Sequence, residues 1–325
     1  MPAPTCTDGE FIELWGTHKS VVKVAAALGC TARAVNLRRR DIEHRYHINL
    51  DASDARGQFY RHFGSPAQSA ARRHLTVRDG VVLVFSDAHF WPGVRTTAFR
   101  ALLLFARMLR PAAVINNGDA FDGASISRYP RIGWDSKPSV IDELKACRDR
   151  LGECQEAAEE AGSDKLFWTL GNHDARFETR LAQNAPEYEG VKGFSLKDHF
   201  PAWAPCWSVW INGNVIVKHR WKGGIHAGHN NTMGAGMTMV TGHDHNLGVT
   251  PFDDYTGTRW GVRTGTLADP HGPQFVDYTE DNPKNWRSGF AVLTFHEGRL
   301  LWPELCRVLD ETHVDFRGTV IEVPQ

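Results

Sequence analysis

The chain has no long apolar run. Nothing in it approaches the roughly 18–20 consecutive apolar residues of a bilayer-spanning helix, so no membrane partner is expected. Net charge is also missing. Lys and Arg number 37 against 38 Asp and Glu, giving −1, and no global field announces a polyanionic or membrane partner. Paired cysteines are absent as well. Cys6, Cys30, Cys147, Cys154, Cys206 and Cys306 stand apart with no CxxC spacing, which argues against a zinc ribbon or a disulfide framework and fits a reducing compartment. The opening MPAPTCTDGEFIELW has no basic segment followed by an apolar core and does not read as a signal peptide. No internal repeat or low-complexity tract stands out. Together these absences set the expectation of a soluble cytoplasmic protein.

What is present is ordinary in bulk and uneven in detail. The 325 residues are 42% hydrophobic and 23% charged, enough for one large domain and a small one. Residues 1–80 hold 12 Lys and Arg against 8 Asp and Glu, and residues 81–325 hold 25 against 30. A basic first part and an acidic second part suggest different jobs. Three helical pieces are expected early: FIELWGTH (11–18), SVVKVAAAL (20–28) capped by Ser20, and TARAVNLRRRDIEHRY (31–46) capped by Thr31, with Gly29 at the turn. These form a small all-α module over 1–48. Residues 49–80 show no clear period and read as a linker that packs on its neighbour.

From residue 81 to 325 the pattern is that of a second domain. VVLVFS (81–86), PAAVINN (111–117) and KLFWTL (165–170) read as buried strands, and they alternate with helical stretches at 96–109 and 141–162. Past residue 200, strands dominate: 207–211, 214–219, 237–243, 258–265 and a hairpin over 289–305. An α/β layer that turns into strands fits a two-sheet α/β sandwich.

Each of five strands ends in chemistry-bearing residues. Asp87 and His89 follow the first, Asp119 and Asp122 the second, Asn172, His173 and Asp174 the third, His219 the fourth, and His243, Asp244 and His245 the fifth. The carboxyl ends of strands in open α/β sheets line one crevice. Carboxylates and imidazoles converging there are the ligand set of a divalent transition metal. Each piece taken alone has a bland reading as a turn or a satisfied core histidine; five in order, each after a strand, do not. Asp87, His89, Asp119, Asn172, His219, His243 and His245 are too many for one tetrahedral site. They suit two divalent ions sharing a carboxylate, roughly 3.5–4 Å apart, which activate water near neutral pH and neutralise a phosphoryl group. Manganese is the expected metal, with iron and zinc also accepted by these ligands.

The ordered set D87-x-H89, G118-D-x-F-D122, G171-N-H-D174, H219 and G242-H-D-H245 closely resembles the calcineurin-like metallophosphoesterase superfamily over roughly residues 80–300. The resemblance implies a four-layer α/β-β/α sandwich with a dinuclear site at one end of its sheets. It implies that Asp87, His89, Asp119 and His245 hold one metal, and that Asp119, Asn172, His219 and His243 hold the other. It makes His173 the histidine that contacts phosphate or protonates the leaving oxygen, oriented by Asp122; an imidazole near pH 7 suits that acid role. Departures narrow the substrate. Gly123 stands where protein phosphatases carry a phosphate-binding arginine, so that reading falls. GDxFD with GNHD is more similar to Mre11/SbcD-type nucleases and other phosphodiesterases. His219 is followed by Arg220 rather than the usual Gly, and Arg220 is a candidate phosphate contact. The Gly- and His-rich stretch 221–237 reads either as a substrate-facing loop or as a flexible connector. Asp174 is expected to cap the helix that follows it.

Residues 20–40 fit a helix-turn-helix. Val24, Ala25 and Leu28 face inward from the first helix, and Val35 and Leu37 from the second. Arg33, Asn36, Arg38, Arg39 and Arg40 are then offered to a DNA major groove. A plain helical hairpin with a solvated basic face, used for packing or oligomerisation, is the competing reading. The combination resembles helix-turn-helix-tethered phosphoesterases of bacteriophages. The expected function is a metal-dependent phosphodiesterase acting as a DNA nuclease. The alternatives are a nucleotide phosphodiesterase or phosphatase whose helical module only packs, and a DNA-binding protein with an inactive esterase domain.

Overall fold

The computed structural model describes residues 6–46, 48, 50, 71–129, 134, 137–280 and 282–325. The chain divides into two compact units, Met1–Ser69 and Ala70–Gln325.

In the first unit, α1 (Asp8–His18), α2 (Val21–Leu28) and α3 (Ala32–Tyr46) are each started by a hydroxyl. Thr7 and Glu10 exchange hydrogen bonds as a capping box, so α1 begins three residues before the expected 11. Ser20 accepts the Lys23 N–H, and Thr31 the Ala34 N–H. Phe11, Trp15, Val24, Ala25, Val35, Ile42 and Leu50 form the core. Leu37, expected inside, is exposed. At 3.6 residues per turn Val35 and Ile42 share a face, and Leu37 points away from it.

The second unit is built on two sheets, with strands numbered in chain order. The first runs β1 (Arg72–Leu75), β6 (Ser208–Ile211), β7 (Val215–Val217), β8 (Thr238–Thr241), β10 (Gly257–Thr264), β9 (Leu247–Asp254). The second runs β15 (Thr319–Glu322), β14 (His313–Phe316), β13 (Glu304–Val308), β11 (Gly289–His296), β2 (Gly80–Phe85), β3 (Ala113–Asn116), β4 (Leu166–Thr169), β5 (Ala204–Cys206). A short strand, β12 (Arg299–Leu300), closes a hairpin on β11. The stretch 49–80 is therefore not all linker. Its end forms β1, parallel to β6 with Leu75 opposite Ile211, while residues 51–70 lie outside the described residues.

Alternation along the strands sorts the layers. Val82 and Val84 of β2 join Ala113, Ile115, Ala291 and Leu293 against Val209, Val215, Val217, Val240 and Val262 of the other sheet. Leu83 and Phe85 face the opposite way, onto α4 (Thr97–Leu109) and α5 (Val140–Glu160) through Leu102, Phe105, Leu144 and Leu151. Each such side chain contributes about 1.5–3 kcal/mol by leaving water. On the outer face of the first sheet lies α7 (Ala227–Ala235), a helix inside the stretch expected to be a loop or connector. Gly228 and Gly261 let its backbone touch β10, where a Cβ on Gly261 would fall on the Gly228 carbonyl. The architecture is a four-layer α/β-β/α sandwich.

Candidate metal centre

β2, β3 and β4 run parallel in one sheet, and β7 and β8 run parallel in the other. Their carboxyl ends bring the five motif loops together. The loops are stitched by backbone: Asp87 N–H to Gly118 O at 2.8 Å, His89 N–H to Asp119 O at 2.9 Å, and Gly242 N–H to His219 O at 2.9 Å. Asp87, His89, Asp119, His243 and His245 all have positive φ, from 40° to 74°. Such backbone costs on the order of 1–3 kcal/mol per residue and clusters where side-chain placement matters more than local comfort.

The side chains form adjoining groups. Ligand atoms of Asp87, His89 and His245 lie within 4.8 Å of one another, as do those of Asp119, His219 and His243. A third group, His89, Asp119 and His173, lies between them. His245 Nε2 is 3.3 Å from Asp87 Oδ1, and His219 Nε2 is 3.1 Å from Asp119 Oδ2. The His243 side chain is exposed, but its N–H donates to both Asp87 oxygens at 3.1 and 2.9 Å. His219 is buried despite Arg220 in place of Gly, and its Nδ1 faces Asn117 O at 2.7 Å. Arg220 itself is exposed.

These residues fit divalent cations on their own chemistry. Among the described residues, His89 Nε2, His245 Nδ1 and Asn172 Oδ1 are buried atoms with no hydrogen-bond partner. Buried polar atoms are otherwise nearly always paired, and all three are metal-donor atoms. Burial opposes the charge on Asp87, but His245 beside it outweighs that and holds the carboxyl below its usual range. Burial is likewise outweighed at Asp119, where His219, His173 and His89 keep the carboxyl well below that range. At His219 burial disfavours the proton, yet Asp119 raises the imidazole to about 10. A metal taken up there must displace that proton. Burial lowers His89, and partial desolvation by its neighbours, with the His219 charge, lowers the otherwise exposed His243, which favours the neutral, ligating form.

His173 is held differently. Its Nδ1 is 2.8 Å from Asp122 Oδ1, and the same oxygen is 2.7 Å from His89 Nδ1. Its Nε2 is 3.0 Å from Arg176 Nη2. A carboxylate only accepts and a guanidinium only donates. Nδ1 therefore carries the proton, and Nε2 accepts from Arg176. Burial works against protonation of His173, but Asp119 and Asp122 raise it above its ordinary value. Arg176 also donates to Asp122 O at 2.9 Å, and its Cδ is 3.3 Å from where a Cβ on Gly123 would lie. An arginine from the helix α6 (Arg176–Asn184) thus fills the space beside Gly123. The sequence reading passed over it; the signal was a cation three residues after His173 on a helix start.

Asp174 does not cap that helix. The residue before α6 is Ala175, and no side chain caps it. Asp174 is buried and accepts the N–H groups of Asp119, Ala120, Phe121 and Gly171 and the Trp168 indole N–H, at 2.8–3.1 Å. Burial and the Asp119 charge push its carboxyl up to about 6 against those donors. It pins the second motif loop to the third. Gly171 permits that approach, because a Cβ there would fall on the Asp119 carboxylate.

The expected nucleic-acid residues divide. Arg33, Asn36 and Arg40 are exposed. Arg38 and Arg39 are not offered outward. Arg38 stacks over Phe11 and reaches Asp8 and Cys6 O, and Arg39 stacks over Trp15 and pairs with Glu43. The aromatic face of α1, which the helix-turn-helix reading did not include, takes these two cations.

The sandwich with clustered carboxylates and imidazoles at its strand ends defines a metal-dependent phosphoester-hydrolysing class of protein. Residues 80–256 match the calcineurin-like phosphoesterase family, and the chain belongs to it. It is similar to the Gene 54 protein of Mycobacterium phage L5, 24% identical over 258 residues, covering 70% of this chain and 93% of that protein. Among solved structures it is similar to Vps29 from Entamoeba histolytica complexed with zinc, at 12% identity and TM-score 0.37, covering 75% of this chain and 99% of that one. It is also similar to an archaeal phosphodiesterase, at 14% identity and TM-score 0.36, covering 70% and 99%. The phosphoesterase YfcE from E. coli follows at 17% identity and TM-score 0.34, covering 69% and 97%. Among the described residues no helix is long and apolar enough to cross a membrane.

Proposed function

We propose that the chain is a phosphodiesterase that cleaves DNA at a pair of divalent metals, manganese first among them. The observation that carries this is the two adjoining ligand groups linked by a third, His89, Asp119 and His173. Asp87, His89, Asp119 and His245 would hold one ion, and Asp119, Asn172, His219 and His243 the other. When bound, such a pair supplies an activated water and neutralises the phosphoryl oxygens.

The chain's own residues do the rest. Asp122 fixes His173 through Nδ1 and leaves Nε2 toward the reacting group. Arg176 is held by Asp122 O and His173 Nε2 until a phosphate arrives. A guanidinium prefers a phosphate to an imidazole. Its transfer frees Nε2 to take a proton from solvent water, and His173 then gives that proton to the leaving oxygen. The exposed Arg33, Asn36 and Arg40 support DNA as the substrate, with the helical unit as its tether.

A second reading is a small nucleotide diester with a helical unit that only packs. It is favoured by Arg38 and Arg39, whose cations serve intramolecular contacts. The full ligand set speaks against an inactive esterase domain.

The test supplies Mn2+ and compares bis(4-nitrophenyl) phosphate, 4-nitrophenyl phosphate and plasmid DNA. Cleavage of the bis-ester and of DNA, with the monoester slow, is the expected result. Consumption of the bis-ester with intact DNA moves the reading to nucleotide diesters, and preference for the monoester overturns it.

A further inference from the structure

An aromatic shelf leads outward from His89 and His245 of the metal centre. Phe275 is buried, with its ring 5.2 Å from His89 and 5.3 Å from His245. Trp286 is half-buried, 4.4 Å from the His245 ring and 5.1 Å from Phe275. Tyr278 lies outermost, stacked on Trp286 at 5.9 Å with planes 12° apart, and is 69% exposed. Lys284 places its ammonium 5.8 Å from the Tyr278 ring. The shelf is tied down by backbone: Arg287 N–H donates to His245 O at 2.9 Å, and the Asn246 amide donates to Asn285 O at 3.0 Å.

We infer that Tyr278 and Trp286 form a nucleobase-stacking subsite, which receives the base attached to the phosphate held at the metal centre. The inference rests on reading that centre as a phosphoester site. The shelf starts in ring contact with His245, so a phosphate at the centre puts its own nucleoside against these rings. Two aromatic planes nearly parallel, one open to solvent, offer a π face that any base can cover, and Lys284 adds a cation for an adjoining phosphate. A core packing role explains Phe275 but not Tyr278, which is largely exposed. Stacking tolerates all bases, so the subsite gives preference for nucleosides without sequence preference.

The test uses the full chain with Mn2+ and two probes that share a sugar phosphate, thymidine 5′-monophosphate and 2-deoxyribose 5-phosphate. Calorimetry is expected to show the base-bearing probe binding about tenfold tighter. Tyr278→Ala should abolish the difference, Tyr278→Phe should keep it, and neither should change metal content. A second arm compares hydrolysis of thymidine 5′-(4-nitrophenyl) phosphate and methyl 4-nitrophenyl phosphate, which share a leaving group. Tyr278→Ala should raise KM for the first about tenfold and leave the second unchanged. Equal affinity for the two sugar phosphates, or a preference that survives Tyr278→Ala, overturns the subsite. A Tyr278-dependent base preference with neither diester cleaved leaves the subsite standing and removes the phosphodiesterase reading instead.

Discussion

Asp174 accepts five hydrogen bonds on two oxygens, and four of them come from backbone of the loops that carry Asp119 and Asn172. Replacing it with Asn keeps the shape but turns one acceptor into a donor facing N–H groups. Asp174→Asn should cost at least ~3 kcal/mol in denaturant unfolding and weaken metal uptake as the Asp119 loop loosens. Unchanged stability and metal content would contradict that role. The role proposed for Arg176 is on substrate rather than fold. Arg176→Ala should lower kcat/KM for the bis-ester about 100-fold, with metal content and unfolding midpoint unchanged. A loss confined to stability would make it a packing residue. Neither role was legible in the sequence. Asn172 and His173 could be read because a strand and a motif precede them. Three of the five donors to Asp174 are backbone groups more than fifty residues away, which leave no mark in residue identity.

Among the elements, α5 carries a carboxylate that the metal motif does not use. Glu143, in its first turn, is fully buried and accepts the Ala124 N–H at 3.0 Å beside the Gly123 turn. Burial pushes its carboxyl up to about 7 from 4.5. The folded state then holds the proton more tightly than the unfolded chain. Its effect on stability is most favourable below pH 4.5 and is lost as pH rises through about 7. Glu143→Gln keeps an acceptor for Ala124 and carries no charge. It should raise Tm by a few degrees at pH 8 and leave it unchanged near pH 4.5; an equal shift at both would contradict the burial account. The elements readable in advance were those with one apolar face or two: β2, β3, β8, α4 and α5. Strands β1, β9 and β15 were not, because they carry mixed or polar residues on largely uncovered surface, such as Arg72–Arg73–His74. The helix α7 was hidden by its four glycines and asparagines, and tertiary contact with β10 overrides their poor propensity.

For the whole molecule, the question is whether the helical unit brings DNA to the phosphoesterase unit. Only Arg33, Asn36 and Arg40 of the five expected contacts are exposed on α3. Arg33→Glu with Arg40→Glu should weaken DNA binding and flatten the slope of log K against log salt by about 2, without changing bis-ester hydrolysis. Unchanged DNA affinity would make the unit a packing element. The clustering of these carboxylates and imidazoles was legible because five separate strand ends each carry a motif, whereas Leu37, Arg38 and Arg39 depended on how α3 turns against α1. The most direct measurement is metal stoichiometry. Manganese titrated into the metal-free chain and counted by mass spectrometry should reach two ions per chain, and Asp119→Asn should lose both along with bis-ester hydrolysis. A single ion per chain, or an Asp119→Asn variant that retains two ions and its activity, would contradict the account.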